Sequence, residues 1–236
     1  MLELLKTLEC VVIKLKKLLF ELNEKMMLSS WFEYSKIVAE AYKEAPEYDT
    51  SAVKHWQKLK QSNEILFRRL LSRTEIIPVS EDSSNKGKTI RLMGKDYDIK
   101  QVSGEPYTSQ KDMRIDWKST RKLMISIDHS DHPVFSVEDN VIFRTVHDFI
   151  VHILGNHPFG VKGEIASYNL HSKLAPPDAL PALFTEIVGQ ASYAVVYGSF
   201  PVQKIAILKG FDYREMGKVS GYDIKNKKLM KKDENE

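Results

Sequence analysis

Residues 141–154 read VIFRTVHDFIVHIL, and this stretch decides how the chain folds. Apolar side chains recur in it every three or four positions, which is the spacing of one face of an α-helix. They include Val146, Ile150, Ile153 and Leu154. His147, Asp148 and His152 lie among them, so the sequence predicts a core helix from Val137 to Leu154 that carries imidazole and carboxylate groups.

Two further helices are predicted downstream, and both carry groups of the same kind. Gly163 to Leu174 places Glu164 and His171 seven residues apart, hence on one face. Leu180 to Tyr197 places Glu186 and Gln190 one turn apart in an otherwise apolar helix. A buried carboxylate needs a partner, because an unpaired buried charge costs several kcal/mol or becomes protonated.

Three helices with acid and imidazole groups on inward faces are typical of metal sites in helical cores. The predicted ligands are His147, His152 and Glu186, a two-histidine, one-carboxylate set that suits Fe, Mn or Zn. His147 and His152 are five residues apart and therefore point about 140° away from each other on an ideal helix. Both imidazoles are expected to reach one ion only at the edge of the site. Asp148, Glu164 and His171 are predicted to move protons or orient ligands, and Arg144 and Gln190 to contact a cofactor.

Two alternatives stay open for this cluster. A hydrogen-bonded network of His, Asp and Glu can fix helix packing without a metal, with Asp148 pairing only with Arg144. The second alternative is a catalytic site in which these groups act as acid and base without a metal. His129 and His132, which precede Pro133, are predicted to be surface or turn residues.

The rest of the chain predicts an α+β fold that is predominantly α-helical, with a small β-hairpin or sheet region. Residues 1–30 are predicted to form an amphipathic helix, 31–217 a single globular domain, and 218–236 a lysine-rich tail. The domain divides into helical residues 31–73, β-containing residues 76–127 and the helices of the metal site, 137–197. The hairpin is expected around Gly94, where the hydrophobic period changes.

Composition narrows the class of protein. Charged residues make up 28% and hydrophobic residues 42% of the 236, as in soluble globular domains. The net charge of +3 comes largely from the lysine-rich tail, so nucleic-acid binding is disfavoured.

Lysines interrupt the apolar N-terminus, so no transmembrane segment is expected there. The single cysteine, Cys10, excludes a Cys-rich zinc site and suits a reducing, intracellular compartment.

Several motifs resemble an uncharacterised family encoded by phages and other mobile elements. They are FRTVHDFIVH, FGVKGEIASYNLH, TEIVGQASY and FPVQK. The likeness covers roughly residues 38–211 and extends to Arg144, His147, Asp148, His152, Gly163, Glu164, His171, Glu186, Gly189, Gln190, Gln203 and Lys204. Ile150 and Val151 replace the Phe-Gly usual in that family. The resemblance implies a phage-encoded protein in the host cytoplasm or associated with the virion, and no established activity.

The order of ligands also resembles, more weakly, that of the pterin-dependent aromatic amino acid hydroxylases. Their iron site has two histidines five apart, followed by a helical glutamate, and His147, His152 and Glu186 reproduce that order. The resemblance implies ligand geometry alone, because no pterin-binding segment is recognisable.

The leading hypothesis from the sequence is a phage-type metal-binding protein, with a non-haem enzyme of oxygenase or hydrolase type as its sharper form. The alternative is a non-catalytic protein, virion-associated or host-interacting, that holds a buried His and Glu network. In it the N-terminal helix contacts a protein partner or a second copy. The sequence leaves open whether the chain is an enzyme and which small-molecule or protein substrate it would take.

Overall fold

The computed structural model describes residues 31–214 and the residue pairs 222–223 and 228–229. Its helices occupy residues 31–44 (α1), Val53–Leu70 (α2), Gln110–Thr120 (α3), Val137–Asp148 (α4), Val161–His171 (α5), Leu180–Phe184 (α6) and Gln190–Tyr197 (α7). Short 3₁₀ turns lie at Ser83–Asn85 and Pro177–Ala179. Together with the small sheets, these helices confirm the predicted α+β, mostly helical class.

The strands form small, separate sheets. Glu75–Ser80 (β1) lies between Lys100–Gln101 (β4) and Lys122–Ser126 (β5), and is parallel to both. Thr89–Leu92 (β2) and Lys95–Asp98 (β3) form the predicted antiparallel hairpin. Its two-residue loop has positive φ at both Met93 (51°) and Gly94 (84°), as a tight hairpin turn that matches strand twist requires. Tyr222–Asp223 (β6) pairs antiparallel with Lys228–Leu229 (β7).

Two of the predicted long helices contain a widened turn. α4 continues into a π-helix at Phe149–Leu154, and α6 and α7 are joined by another at Thr185–Gly189. In a π-helix each N–H bonds to a carbonyl five residues earlier, and such turns occur frequently at functional sites. Gly155 N donates in this way to the carbonyl of Ile150, at 2.9 Å.

Two apolar clusters make up the core. One packs α1, the start of α2, α5 and α6 around Trp56, Tyr168 and Phe184. The other packs the end of α2, the sheet and α4 around Phe67, Leu123 and Val146. Ile150 and Val151 of the π-turn lie in the second cluster. α4 and α5 each contribute residues to both apolar clusters. The polar side chains near the rings of Phe143 and His171 therefore lie where the two clusters meet.

The N-terminal helix predicted over residues 1–30 lies outside the described residues, as does most of the lysine-rich tail. Within the described part, Pro177–Tyr197 is long and apolar enough to cross a membrane by length and composition. However, 67% of that apolar window is buried inside the fold, as in the core helix of a soluble domain, so it is weak evidence for a span.

Candidate metal centre

The end of α4 and its π-turn carry a group that could hold a metal ion. One ligand atom from each of His147, Asp148 and His152 lies within 4.8 Å of the others. His147 and His152 are buried, and Asp148 is partly exposed. α4 is fixed at its start by a capping box between Ser136 and Asp139, so the group lies at the end of a well-anchored helix.

The π-turn at Phe149–Leu154 brings the rings of His147 and His152 together. On a regular α-helix, side chains five residues apart diverge by about 140°. Here the widened turn lies between them, and their ring centroids are 5.3 Å apart. The two imidazoles are therefore closer together than the sequence predicted, because the prediction assumed an unbroken α-helix.

Glu164, in the first turn of α5, joins both histidines. Its Oε2 lies 3.1 Å from His147 Nε2, and its Oε1 lies 3.7 Å from His152 Nε2. Neighbouring nitrogen or oxygen ligands of a tetrahedral zinc ion are about 3.4 Å apart, given bonds of about 2.0–2.1 Å. Ser167 Oγ donates to the same carboxylate at 3.2 Å. His147, His152, Asp148, Glu164 and His171 are called the His–carboxylate centre below.

The hydrogen bonds of His152 fix its tautomer. Its Nδ1 lies 2.8 Å from the carbonyl oxygen of His157, which can only accept, so Nδ1 carries the proton. Burial, and then the neighbouring His147, lower the pKa of His152, so the ring is neutral. Nε2 consequently presents a lone pair to the Glu164 carboxylate, and two acceptors face each other across 3.7 Å.

The remaining pKa shifts follow from burial and close contact. Burial opposes the charge of both His147 and Glu164, but their mutual attraction prevails, raising the pKa of His147 and lowering that of Glu164. Burial, followed by repulsion from Glu164, raises the pKa of Asp148 to about 6 although His147 and Arg144 oppose the shift. Burial lowers the pKa of His171 to about 3, so that ring is neutral.

Three buried polar atoms next to these ligands have no protein partner among the described residues. They are Nδ1 of His147, Nδ1 of His171 and Nδ2 of Asn63. Nε2 of His171 lies 3.3 Å from Oδ1 of Asn63. The ring centroid of His171 is 6.1 Å from that of His147. Buried polar groups are nearly always paired, so three unpaired atoms in one neighbourhood indicate a place where an ion or an enclosed water belongs.

Glu186, the predicted third ligand, lies in a different polar cluster. Its Oε1 accepts from Trp56 Nε1 at 2.8 Å and from His132 Nε2 at 3.1 Å, and its Oε2 accepts from Gln190 Nε2 at 2.7 Å. His132 Nδ1 accepts the backbone N–H groups of Val134 and Phe135, so Nε2 carries the proton. Trp56, His132, Glu186, Gln190 and Gln203 are called the Glu186 network below.

Several site predictions therefore need correction. The structure does not bring Glu186 to His147 and His152; the glutamate that meets both is Glu164, because α5 packs against the π-turn. His132 was predicted to be a surface residue, but its side chain is only 1% exposed. Its sequence context, a short polar stretch before proline, gives no signal of burial, since its partner Glu186 is distant in the chain.

Arg144 and Gln190, predicted to contact a cofactor, are bonded to protein groups. Arg144 donates to the backbone oxygens of Ser126, Asp128 and His129 at 2.7–2.9 Å, and so ties α4 to the chain after β5. Gln190 Nε2 donates to Glu186 and to Gln203 Oε1, the latter at 2.7 Å. Arg144 therefore anchors α4, and Gln190 belongs to the Glu186 network.

Comparison with known proteins gives no relative: no family model, curated protein or solved structure matches the chain. The resemblance to a phage family stays a prediction from the sequence.

Proposed function

We propose that the chain is a metalloprotein whose ion is bound by His147, His152 and Glu164. The observation that carries this proposal is the 3.7 Å contact between His152 Nε2 and Glu164 Oε1. Both atoms are acceptors, because His152 uses its proton at Nδ1. A lone pair and a carboxylate so placed repel each other, and a cation bound between them would turn the repulsion into attraction. Fe, Mn or Zn accepts such a set of donors.

Two histidines and one carboxylate leave coordination positions open, as catalytic metal sites do. An ion held there would supply Lewis acidity toward a substrate oxygen and would make a bound water more acidic. The ligand side chains are not sealed off, since Glu164 is 23% exposed whereas His152 is 2% exposed. The centre is accordingly open to solvent on the side of Glu164.

Asp148 is the proposed proton acceptor of the reaction. Its carboxylate lies within 4.8 Å of ligand atoms of both histidines, and it is partly exposed. A carboxylate next to the ligands, with access to solvent, can take a proton from a water at the centre and pass it on. This arrangement favours hydrolysis over an oxygenase reaction, and we extend the proposal to a phage-type metal-dependent hydrolase on the strength of the sequence motifs.

Metal analysis tests the proposal. Protein purified without chelator, then dialysed against Fe, Mn or Zn, should retain one ion per chain when measured by mass spectrometry of the elements. The His147→Ala variant, with its fold checked by circular dichroism, should retain none. If the folded wild-type protein retains no stoichiometric metal under these conditions, the proposal is wrong.

A further inference from the structure

A cavity lies away from the proposed metal centre, at the amino ends of β1 and β5. Its volume is about 340 Å³. Leu71, Ile76 and Tyr97 form apolar parts of its wall. Arg73, Lys95 and Arg121 bring three cationic side chains to the same wall, and Thr74 and Thr120 add hydroxyl groups.

The three cationic side chains of this cavity have no ion-pair partner within the described part of the chain. Within residues 31–214, none of the ion pairs involves Arg73, Lys95 or Arg121. Glu75 also lines the cavity, but its carboxylate is paired with Lys122 Nζ at 3.6 Å. Three cations therefore converge on one concave surface, and no carboxylate among residues 31–214 is paired with any of them.

Arg121 is held in place by its surroundings. Its guanidinium lies 4.4 Å above the ring of Trp117, and Trp117 Nε1 donates to Thr74 Oγ1 at 3.0 Å. These contacts connect the two edges of the cavity, since Thr74 precedes β1 and Arg121 precedes β5. Lys95 is placed in a similar way, with Nζ 4.9 Å from the centre of the Tyr97 ring.

The backbone of Arg121 is strained in a way that favours a role for its side chain. It ends α3 in the left-handed region, with φ of 58° and ψ of 23°. Glycine is the usual residue at such a helix end, because a side chain there clashes with the backbone. An arginine at this position puts a guanidinium at the cavity at the expense of local strain, and strained residues concentrate at binding sites.

We propose that this cavity binds the phosphate group of a small phosphorylated ligand. A phosphate monoester carries close to two negative charges near neutral pH, and it accepts hydrogen bonds from several directions at once. A monocarboxylate would neutralise only one of the three cations. The guanidinium groups of Arg73 and Arg121 supply the paired donors that phosphate oxygens prefer, and the hydroxyl of Thr74 adds a donor, whereas that of Thr120 already donates to the carbonyl oxygen of Asp116.

The inference goes beyond the proposed metal function and does not depend on it, so metal-free full-length protein is the proper material. Inorganic phosphate is the probe, titrated at constant ionic strength with acetate as the monovalent control, and backbone amide signals are followed by NMR. We expect saturable shifts at Thr74 and Arg121 with a dissociation constant of about 10 mM or lower, and at least tenfold weaker binding of acetate.

Two variants and one control make the test specific. Arg73→Gln and Arg121→Gly should each weaken phosphate binding about tenfold or more. Arg121→Gly also relieves the backbone strain, so its melting temperature should not fall, which separates lost binding from lost folding. Arg91→Gln removes an exposed cation already paired with Asp96 and should bind as the wild type does. Shifts that never saturate, acetate binding equal to phosphate, or unaltered binding by both variants would each overturn the proposal.

Discussion

The two polar clusters of the core differ in how completely their hydrogen bonds are satisfied. In the Glu186 network, one carboxylate accepts from three neutral donors, and His132 accepts two backbone N–H groups. In the His–carboxylate centre, an imidazole nitrogen without a proton faces a carboxylate, and the neighbouring Nδ1 atoms of His147 and His171 have no hydrogen-bond partner among the residues that the structure describes.

Under the proposed function, this difference separates a cluster that fixes packing from one that binds an ion. A buried network with every member satisfied fixes a unique packing. A partly satisfied one is unfavourable unless something else completes it, and in a native protein that is usually a ligand, an ion or a water. Both clusters pair a histidine with a glutamate in the core, so these two residue types alone do not tell the clusters apart.

The largest expected effect is on metal affinity, and it should divide the two clusters. His152→Ala removes a proposed ligand and should weaken metal binding by more than about 100-fold, beyond the 10–100-fold typical of residues that only orient ligands. Glu186→Gln should leave the affinity within about twofold, because its cluster does not touch the ion. Competition with a chromophoric chelator measures both constants.

Asp148→Asn and Glu164→Gln then decide between the two carboxylates. We expect Glu164→Gln to behave like His152→Ala, and Asp148→Asn to keep most of the affinity. The reverse order would transfer the role of ligand to Asp148. Equal and large losses in Glu186→Gln and His152→Ala would show that the clusters do not have separate roles.

The second effect is on stability and has the opposite pattern. Glu186→Ala leaves the N–H of Trp56 and its other donors buried without an acceptor, and should lower the free energy of unfolding by about 3 kcal/mol. Glu164→Gln in metal-free protein removes the 3.1 Å ion pair with His147 but also the repulsion from the His152 lone pair, so it should lower the free energy of unfolding by less than Glu186→Ala does. Urea denaturation of both variants measures the difference, and a smaller loss for Glu186→Ala would contradict this assignment.

A matched pair of glycines sharpens the comparison at the backbone. A Cβ on Gly163 would lie 1.6 Å from the carbonyl oxygen of Pro158, whereas one on Gly189 would lie 2.7 Å from Cδ2 of Tyr42. Gly163→Ala must therefore displace the start of α5 and with it Glu164, so metal affinity should fall about tenfold or more. Gly189→Ala only crowds a ring, so it should cost about 1–3 kcal/mol of stability and spare metal binding.

The same measurements serve for this pair: chelator competition for affinity and urea denaturation for stability. A loss of metal by Gly189→Ala, with Gly163→Ala unaffected, would reverse the assignment of the two motif glycines.

Much of the fold follows from the sequence because it depends on local spacing. The helices, the hairpin around Gly94 and the inward position of His147 and His152 were predicted from hydrophobic period and turn residues. The π-turn was not, since its residues fit an α-helix equally well. Which glutamate lies beside the two histidines could not be predicted, because Glu164 and Glu186 both occupy helices of the core. Only the packing of α5 against the end of α4, and of Trp56 against Glu186, places Glu164 there.

The smallest expected effect is a dependence of stability on pH that belongs to the His–carboxylate centre. The pKa of Asp148 is raised from 3.8 to about 6 in the folded protein. The folded state thus binds this proton more tightly than the unfolded state, so the contribution of Asp148 to stability falls as the pH rises from 3.8 to 6 and is constant above that.

Asp148→Asn removes this titration. In metal-free protein, the free energy of unfolding of Asp148→Asn relative to wild type should therefore rise between pH 4 and pH 7, by about 1 kcal/mol. This is less than the roughly 3 kcal/mol equivalent to two pKa units, because solvent reaches the partly exposed side chain. Urea denaturation at the two pH values measures it, with Asp116→Asn on α3 as the control. A difference between variant and wild type that is the same at both pH values would mean that burial does not perturb Asp148, and that the centre is as well satisfied as the Glu186 network.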